Sequence, residues 1–211
     1  QRTLPKGENM NGCVFCDFSK IKDQTIATIE GFHIVISLGQ ITNGGYLLLI
    51  PMKHAVCLGA MGQAQAYNLD RVLDETTDNL GLEYDQPITF FEHGLVGQTV
   101  KHAHLHVFPG SLNIKKRITT DFPNSEIQAI KDFSELRLLY KKKKEPYLLW
   151  STPKNEILVC WNPPAPPEYL RLITAEILKV PERASWRKMD PKLDQKLIDE
   201  TMSRLFPYFN P

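Results

Sequence analysis

The sequence predicts an α+β fold built around an antiparallel sheet. Three observations carry that prediction. Short apolar segments of strand length follow one another through short polar turns, which suits antiparallel neighbours. Residues 62–80 instead place Ala66, Leu69, Val72, Leu73, Thr76 and Leu80 at helical spacing, with Arg71, Asp74 and Glu75 on the wet face. The second half joins a hairpin pattern to helix-like stretches.

Taken in order, the elements begin after a turn that holds Cys13 and Cys16. Thr25–Ile29 and residues 33–37 read as strands joined by Glu30-Gly31. Residues 39–45 form a polar loop, and the apolar run 46–51 ends at Pro51. The helix over 62–80 leads to a strand at Ile88–Glu92 and another over 100–108. Residues 124–144 repeat apolar side chains at three-residue steps (Ile127, Ile130, Phe133, Leu136), which predicts a helix. It ends in four lysines, Lys141 to Lys144. These read as a solvated helix end, where cations also favour the macrodipole. Four charges alone make weak phosphate binding, so nucleic acid is not an expected partner. Tyr147–Ser151 and Ile157–Trp161 read as a hairpin around Pro153-Lys154-Asn155. A Pro-rich break over 162–167 precedes two helices, over 167–178 and 190–205.

The chain of 211 residues allows one fairly large domain, or a domain with a substantial appendage. Its 42% hydrophobic and 23% charged content fits a soluble globular protein. The net charge of +1 points to no polyanionic partner. No apolar run approaches a membrane span, and residues 1–10 lack a signal-peptide core. Four cysteines are too few for a disulfide scaffold, so a reducing cytoplasm is expected.

The chemistry concentrates at Gly97-Gln98-Thr99-Val100-Lys101-His102-Ala103-His104-Leu105-His106-Val107. Extended backbone turns alternate side chains to opposite faces. His102, His104 and His106 therefore share one face, while Ala103, Leu105 and Val107 face a core. A neutral imidazole can attack phosphorus with one nitrogen while an acceptor holds its other N–H. His104, flanked on both sides, is the better nucleophile candidate. His106 can bond a phosphoryl oxygen, and Gln98 and Thr99 offer an amide and a hydroxyl nearby. A joint three-histidine metal site is the competing reading, and three separate structural histidines the plainer one. Cys13-Val14-Phe15-Cys16 is ambiguous among a metal knuckle, a redox dithiol and an accidental pair. As a metal knuckle it needs two further ligands, for which His54 and His102 are candidates. Cys57 and Cys160 read as packing residues.

The segment from Gln98 to Val107 resembles the histidine triad (HIT) motif, His-φ-His-φ-His-φ-φ with φ apolar, and its Gly-Gln-Thr-Val-Lys-His approach is similar to the fragile histidine triad branch. Gly45 to His54, ending Pro-Met-Lys-His, resembles the strand that precedes the family's Pro-x-x-His. Phe91-Glu92-His93-Gly94 resembles the strand end before the triad turn, and Cys13-x-x-Cys16 the zinc knuckle of a bacterial-type branch. The likeness covers about residues 13–110. It implies an antiparallel five-stranded sheet with helices, often dimerised, here as a HIT-like domain over 1–122 with a C-terminal α/hairpin extension over 123–211. It implies hydrolysis of a nucleotide–X compound through a nucleotidyl-histidine at His104, with a small nucleotide as the ligand. His106, Gln98 and Thr99 match phosphate-contacting positions, and Ser37, Leu38, Glu92 and His93 fall in the substrate-binding region. Cys13, Cys16, His54 and His102 match a structural zinc site, and the His102 carbonyl would orient His104. A homodimer is among the implied assemblies. The chain departs from the family pattern at Tyr46, where a histidine is common, and at Ser37–Leu38, where an acidic residue often grips ribose. Nothing beyond residue 124 matches. Tyr147, Trp150 and Trp161 there read either as core or as a cover for the pocket.

Overall fold

A computed structural model describes residues 12–210. The expectation for residues 1–10 lies outside them. The strands are β1 (Thr25–Ile29), β2 (Phe32–Ile36), β3 (Leu47–Pro51), β4 (Ile88–Glu92), β5 (Leu105–Pro109), β6 (Ile127–Ile130), β7 (Tyr147–Ser151) and β8 (Ile157–Trp161). The helices are α1 (Gln63–Tyr84), α2 (Ile114–Asp121), α3 (Phe133–Lys143), α4 (Tyr169–Ile177) and α5 (Pro191–Phe209). All eight strands join one antiparallel sheet in the order β1-β2-β3-β5-β4-β7-β8-β6. The fold is α+β. Five strands come from the first half, and β7 extends the sheet by pairing with β4.

Both faces of the sheet are covered, which is why β2, β3, β5 and β7 are buried at every position. On one face Leu47, Leu49, Leu105, Val107 and Leu149 pack against Leu69 and Val72 of α1, Leu136 of α3 and Leu205 of α5. On the other, Phe91, Phe108, Leu148 and Trp150 pack against Ile118 of α2 and Leu170 and Ile173 of α4. Tyr147, Trp150 and Trp161 are all buried, the first and last on the α1 face of the hairpin and Trp150 on the α4 face. The β1–β2 turn places Glu30 and Gly31 at φ 50° and 84°, the two left-handed residues that a tight hairpin needs.

Several boundaries differ from those the sequence predicts. The helix over 62–80 runs on to Tyr84, past Gly81, and stops where Asp85 turns left-handed and returns its N–H to the Gly81 carbonyl. Residues 124–144 are not one helix. Ile127 and Ile130 lie on β6, because this segment completes the sheet edge against β8. Phe133 and Leu136 lie on α3, which starts where Asp132 accepts the Glu135 N–H. The spacing of four apolar residues thus spans two elements, and tertiary pairing overrides it. The sequence reading also missed α2, a short helix capped by Asn113. Finally, the strand expected over 100–108 begins only at Leu105 and runs to Pro109. Ahead of it, Ala103 gives its N–H to Ala55, and the His102 carbonyl is taken by the side chains of Gln98 and His104.

Candidate active site

The irregular segment before β5 still alternates its side chains. Ala103, Leu105 and Val107 enter the core, and the three histidines point the other way. Each histidine has a different partner. His104 places Nδ1 2.7 Å from the carbonyl oxygen of His102. A carbonyl only accepts, so Nδ1 carries the proton and Nε2 keeps a free lone pair. His106 places Nδ1 2.9 Å from the hydroxyl of Tyr46. That hydroxyl receives a hydrogen bond from Nη1 of Arg171 at 3.2 Å. Its own proton is then directed to His106 Nδ1, which leaves Nε2–H of His106 as a donor. His104 and His106, with ring centroids 5.0 Å apart, thus offer an acceptor and a donor side by side.

Burial keeps these rings uncharged. It pushes His104 down to about 4 despite the hydrogen bond to His102. Burial, then the neighbouring imidazoles and Arg171, hold His106 well below its ordinary value. His93 accepts the Leu170 N–H on Nε2 at 3.0 Å, and burial pushes it down to about 3.

A cavity of about 170 Å³ is lined in part by this pair. Of the residues expected there, Ser37, Leu38, His93, Thr99, His104 and His106 line it. Glu92 and Gln98 do not. Glu92 sits on the opposite face of the sheet, accepting from Leu58 N–H at 2.7 Å and Tyr147 O–H at 2.6 Å. Gln98 donates to the His102 carbonyl at 2.9 Å, beside His104. The cavity also has walls that the sequence reading did not find. Phe15 lays its ring edgewise to His104, centroids 5.3 Å apart. Glu168, Arg171 and Trp186 come from the second half of the chain. They carry no local motif; the return of α4 onto the sheet brings Glu168 and Arg171 here, and the segment after α4 brings Trp186.

Next to the triad, the ligand atoms of Cys13, Cys16, His54 and His102 all lie within 4.8 Å of one another. The Cys13–His102, Cys16–His54 and Cys16–His102 distances are 3.4, 3.3 and 3.4 Å, and His54–His102 is 3.2 Å. Ligands of a tetrahedral zinc ion stand about 3.3–3.8 Å apart by its usual bond lengths, the nitrogen pair nearest and the sulfur pair farthest. His102 places Nε2 2.8 Å from the Pro51 carbonyl, so its proton sits there and Nδ1 faces the cluster unprotonated. That outer hydrogen bond is how metal-binding histidines are normally held. Burial and the adjacent Cys13 push the Cys16 thiol up to about 11. A cation between the sulfurs reverses that cost. The four residues fit a metal ion.

No protein-family model and no curated protein matches the chain. Solved structures do. A HIT-like protein from Bartonella henselae shares 18% identity over 41% of this chain, at a TM-score of 0.37. The match spans 65% of that protein, just under two thirds. A HIT family protein from Bacillus anthracis shares 21% identity over 52% of this chain and 94% of its own, at a TM-score of 0.42. Yeast Ap4A phosphorylase Apa2, solved in complex with Ap4A, shares 12% identity over 93% of this chain and 81% of its own, at a TM-score of 0.44. The chain is similar to histidine triad proteins. No helix among the described residues is long and apolar enough to cross a membrane.

Proposed function

We propose that this chain is a histidine triad enzyme that cleaves a nucleotide–X compound and releases a nucleoside monophosphate. The observation that supports this most is the pair of neighbouring imidazoles, one an acceptor and one a donor, that line one cavity. The Nε2 lone pair of His104 attacks the α-phosphorus, a P–N bond forms, and the bond to X breaks. His106 donates Nε2–H to a non-bridging oxygen as charge builds there. Thr99 lines the same cavity and serves the phosphate. Water then attacks the phosphorus of the nucleotidyl-histidine, and a P–O bond forms as the P–N bond to His104 breaks. The proton the water loses balances the one taken up by the departed X, which restores neutral His104. Ser37, Leu38 and His93 contribute to the substrate pocket. In this reading Glu92 and Gln98 act from behind the site, on Tyr147 and on the His102 carbonyl. Residues 1–122 form the catalytic unit, and 123–211 complete its cavity. Cys13, Cys16, His54 and His102 hold a structural zinc ion that ties the N-terminal turn to the triad segment.

The test is a panel of dinucleoside polyphosphates and nucleoside phosphoramidates with product analysis. Monophosphate release and an acid-labile phosphorus–histidine adduct are expected. His104→Ala removes both while zinc content stays unchanged. Zinc lost together with activity in both His104→Ala and His106→Ala points to a joint three-histidine metal hydrolase. Nucleotide binding with no adduct and no release makes the chain a sensing module.

A further inference from the structure

Arg171 is the buried cation of the cavity. It sits on α4, is 4% exposed, and lines the same pocket as His104 and His106. Its Nε donates to the Ala184 carbonyl at 3.1 Å, Nη2 to the Gly39 carbonyl at 2.7 Å, and Nη1 to the Tyr46 hydroxyl at 3.2 Å. The guanidinium also lies over the Tyr46 ring, 5.3 Å from its centroid. All three of these partners are neutral. Among the described residues no carboxylate forms an ion pair with Arg171. Glu168 lines the same cavity, but its carboxylate is bound to Arg187 at 2.9 Å. Lys20, the other cation there, is exposed. The Arg171 position is also enforced. Gly39 has φ +69°, and a Cβ there would stand 2.9 Å from Nη2 and 2.5 Å from Trp186.

Burying a charge without a counter-charge is costly, and folds retain one where a ligand supplies the opposite sign. A guanidinium has five N–H donors in a fixed fork. Three of them are directed at Ala184, Gly39 and Tyr46, which leaves two for an anion. Planar, two-pronged recognition of phosphate is what this group does best.

We propose that Arg171 is the anion anchor of the site: it pairs with a phosphoryl oxygen of the ligand and, through Tyr46, keeps the Nε2–H of His106 aimed at the same group. This rests on the nucleotidyl-transfer reading for the identity of the ligand, but not for the presence of an anion site. The ligand class is a phosphate ester or anhydride whose charge enters between α4 and β5.

The test uses the full chain with its metal bound and inorganic phosphate as the probe. Nitrogen NMR of the imidazoles reports both binding and tautomer. Wild-type protein binds phosphate with shifts at His104 and His106, and His106 shows an unprotonated Nδ1. Arg171→Met weakens phosphate binding about 10- to 100-fold, the range for one lost charged hydrogen bond, and gives His106 a mixed tautomer. Arg171→Lys keeps part of the affinity because it keeps the charge. If Arg171→Met does not fold, Arg171→Lys and Tyr46→Phe carry the test. The lysine variant must show weakened phosphate binding, and the phenylalanine variant a changed His106 tautomer with phosphate still bound. Phosphate affinity and tautomer unchanged in folded Arg171→Met overturn the anchor, and so does wild-type protein blind to phosphate. Absent nucleotide turnover with Arg171-dependent phosphate binding overturns only the nucleotidyl reading.

Discussion

His102 does its work through three different groups of one residue. Its Nδ1 faces the cysteines, its Nε2–H is held by Pro51, and its carbonyl accepts from both Gln98 and His104. In the proposed reaction, sharing one carbonyl makes Gln98 a partner of the His104 tautomer rather than of the phosphate. Gln98→Ala is expected to lower kcat several-fold with KM nearly unchanged, because the group it supports matters only when His104 attacks. A raised KM at constant kcat means that Gln98 touches substrate instead. The alternation that sets the three histidines on one face was legible in the sequence, since it needs only extended backbone. Their separate partners were not. Tyr46 lies 60 residues from His106 and Arg171 lies 125 from Tyr46, and no local pattern encodes such meetings.

The turn of Cys13 to Cys16, the end of β2 with Ser37 and Leu38, and the start of α4 supply walls of the pocket, and α5 braces the loop after Ser37 from outside. Cys16→Ser removes a ligand of the proposed metal site, and the melting temperature is expected to fall together with zinc content. An intact melting temperature in that variant, or in chelator-treated protein, counts against a structural metal. On the far side, α5 holds the loop that follows Ser37. The two carboxylate oxygens of Asp194 accept the N–H groups of Gly39 and Gln40, each at 2.9 Å. Thr201 accepts the Gly45 N–H at 3.0 Å. Asp194→Ala leaves two amides without these partners and is expected to cost about 1–3 kcal/mol. Its larger effect on catalysis falls on KM, because the freed loop carries Ser37 and Leu38 into the cavity. A wild-type KM with a lowered melting temperature would confine Asp194 to stability. The hairpin β7–β8 and helix α1 were legible from turn residues and periodicity. The split of 124–144 into β6 and α3 was not, because the edge of β8 decides it.

At the scale of the molecule, one sheet is covered on both faces, and this leaves titratable groups buried on each side of β4. Glu92 and His93 are neighbours in sequence that face opposite ways. Burial pushes Glu92 up to about 8, although Tyr147 and Leu58 donate to it. Burial pushes His93 down to about 3 and His104 to about 4. The signs oppose. The folded chain holds the Glu92 proton above the usual carboxylate range, so that contribution is complete below about pH 4.5 and is lost as pH rises through about 8. The folded chain resists protonating the histidines, so their contribution is complete above about pH 6.5 and is lost as pH falls through about 4 and then 3. Stability should therefore peak near pH 6.5 and decline toward pH 8, where only Glu92 is still losing its proton. One proton corresponds to at most about 1.4 kcal/mol per pH unit. Glu92→Gln carries no ionisable proton at that position and keeps an oxygen for the Leu58 N–H. It should flatten the decline between pH 6.5 and 8 and steepen the rise between about pH 4.5 and 6.5, where Glu92 opposes the buried histidines His93, His104 and His106, while the limb below about pH 4.5 stays in place. Denaturant titrations of both proteins across this range check the argument, and an equal alkaline decline in the variant would assign the proton to another group.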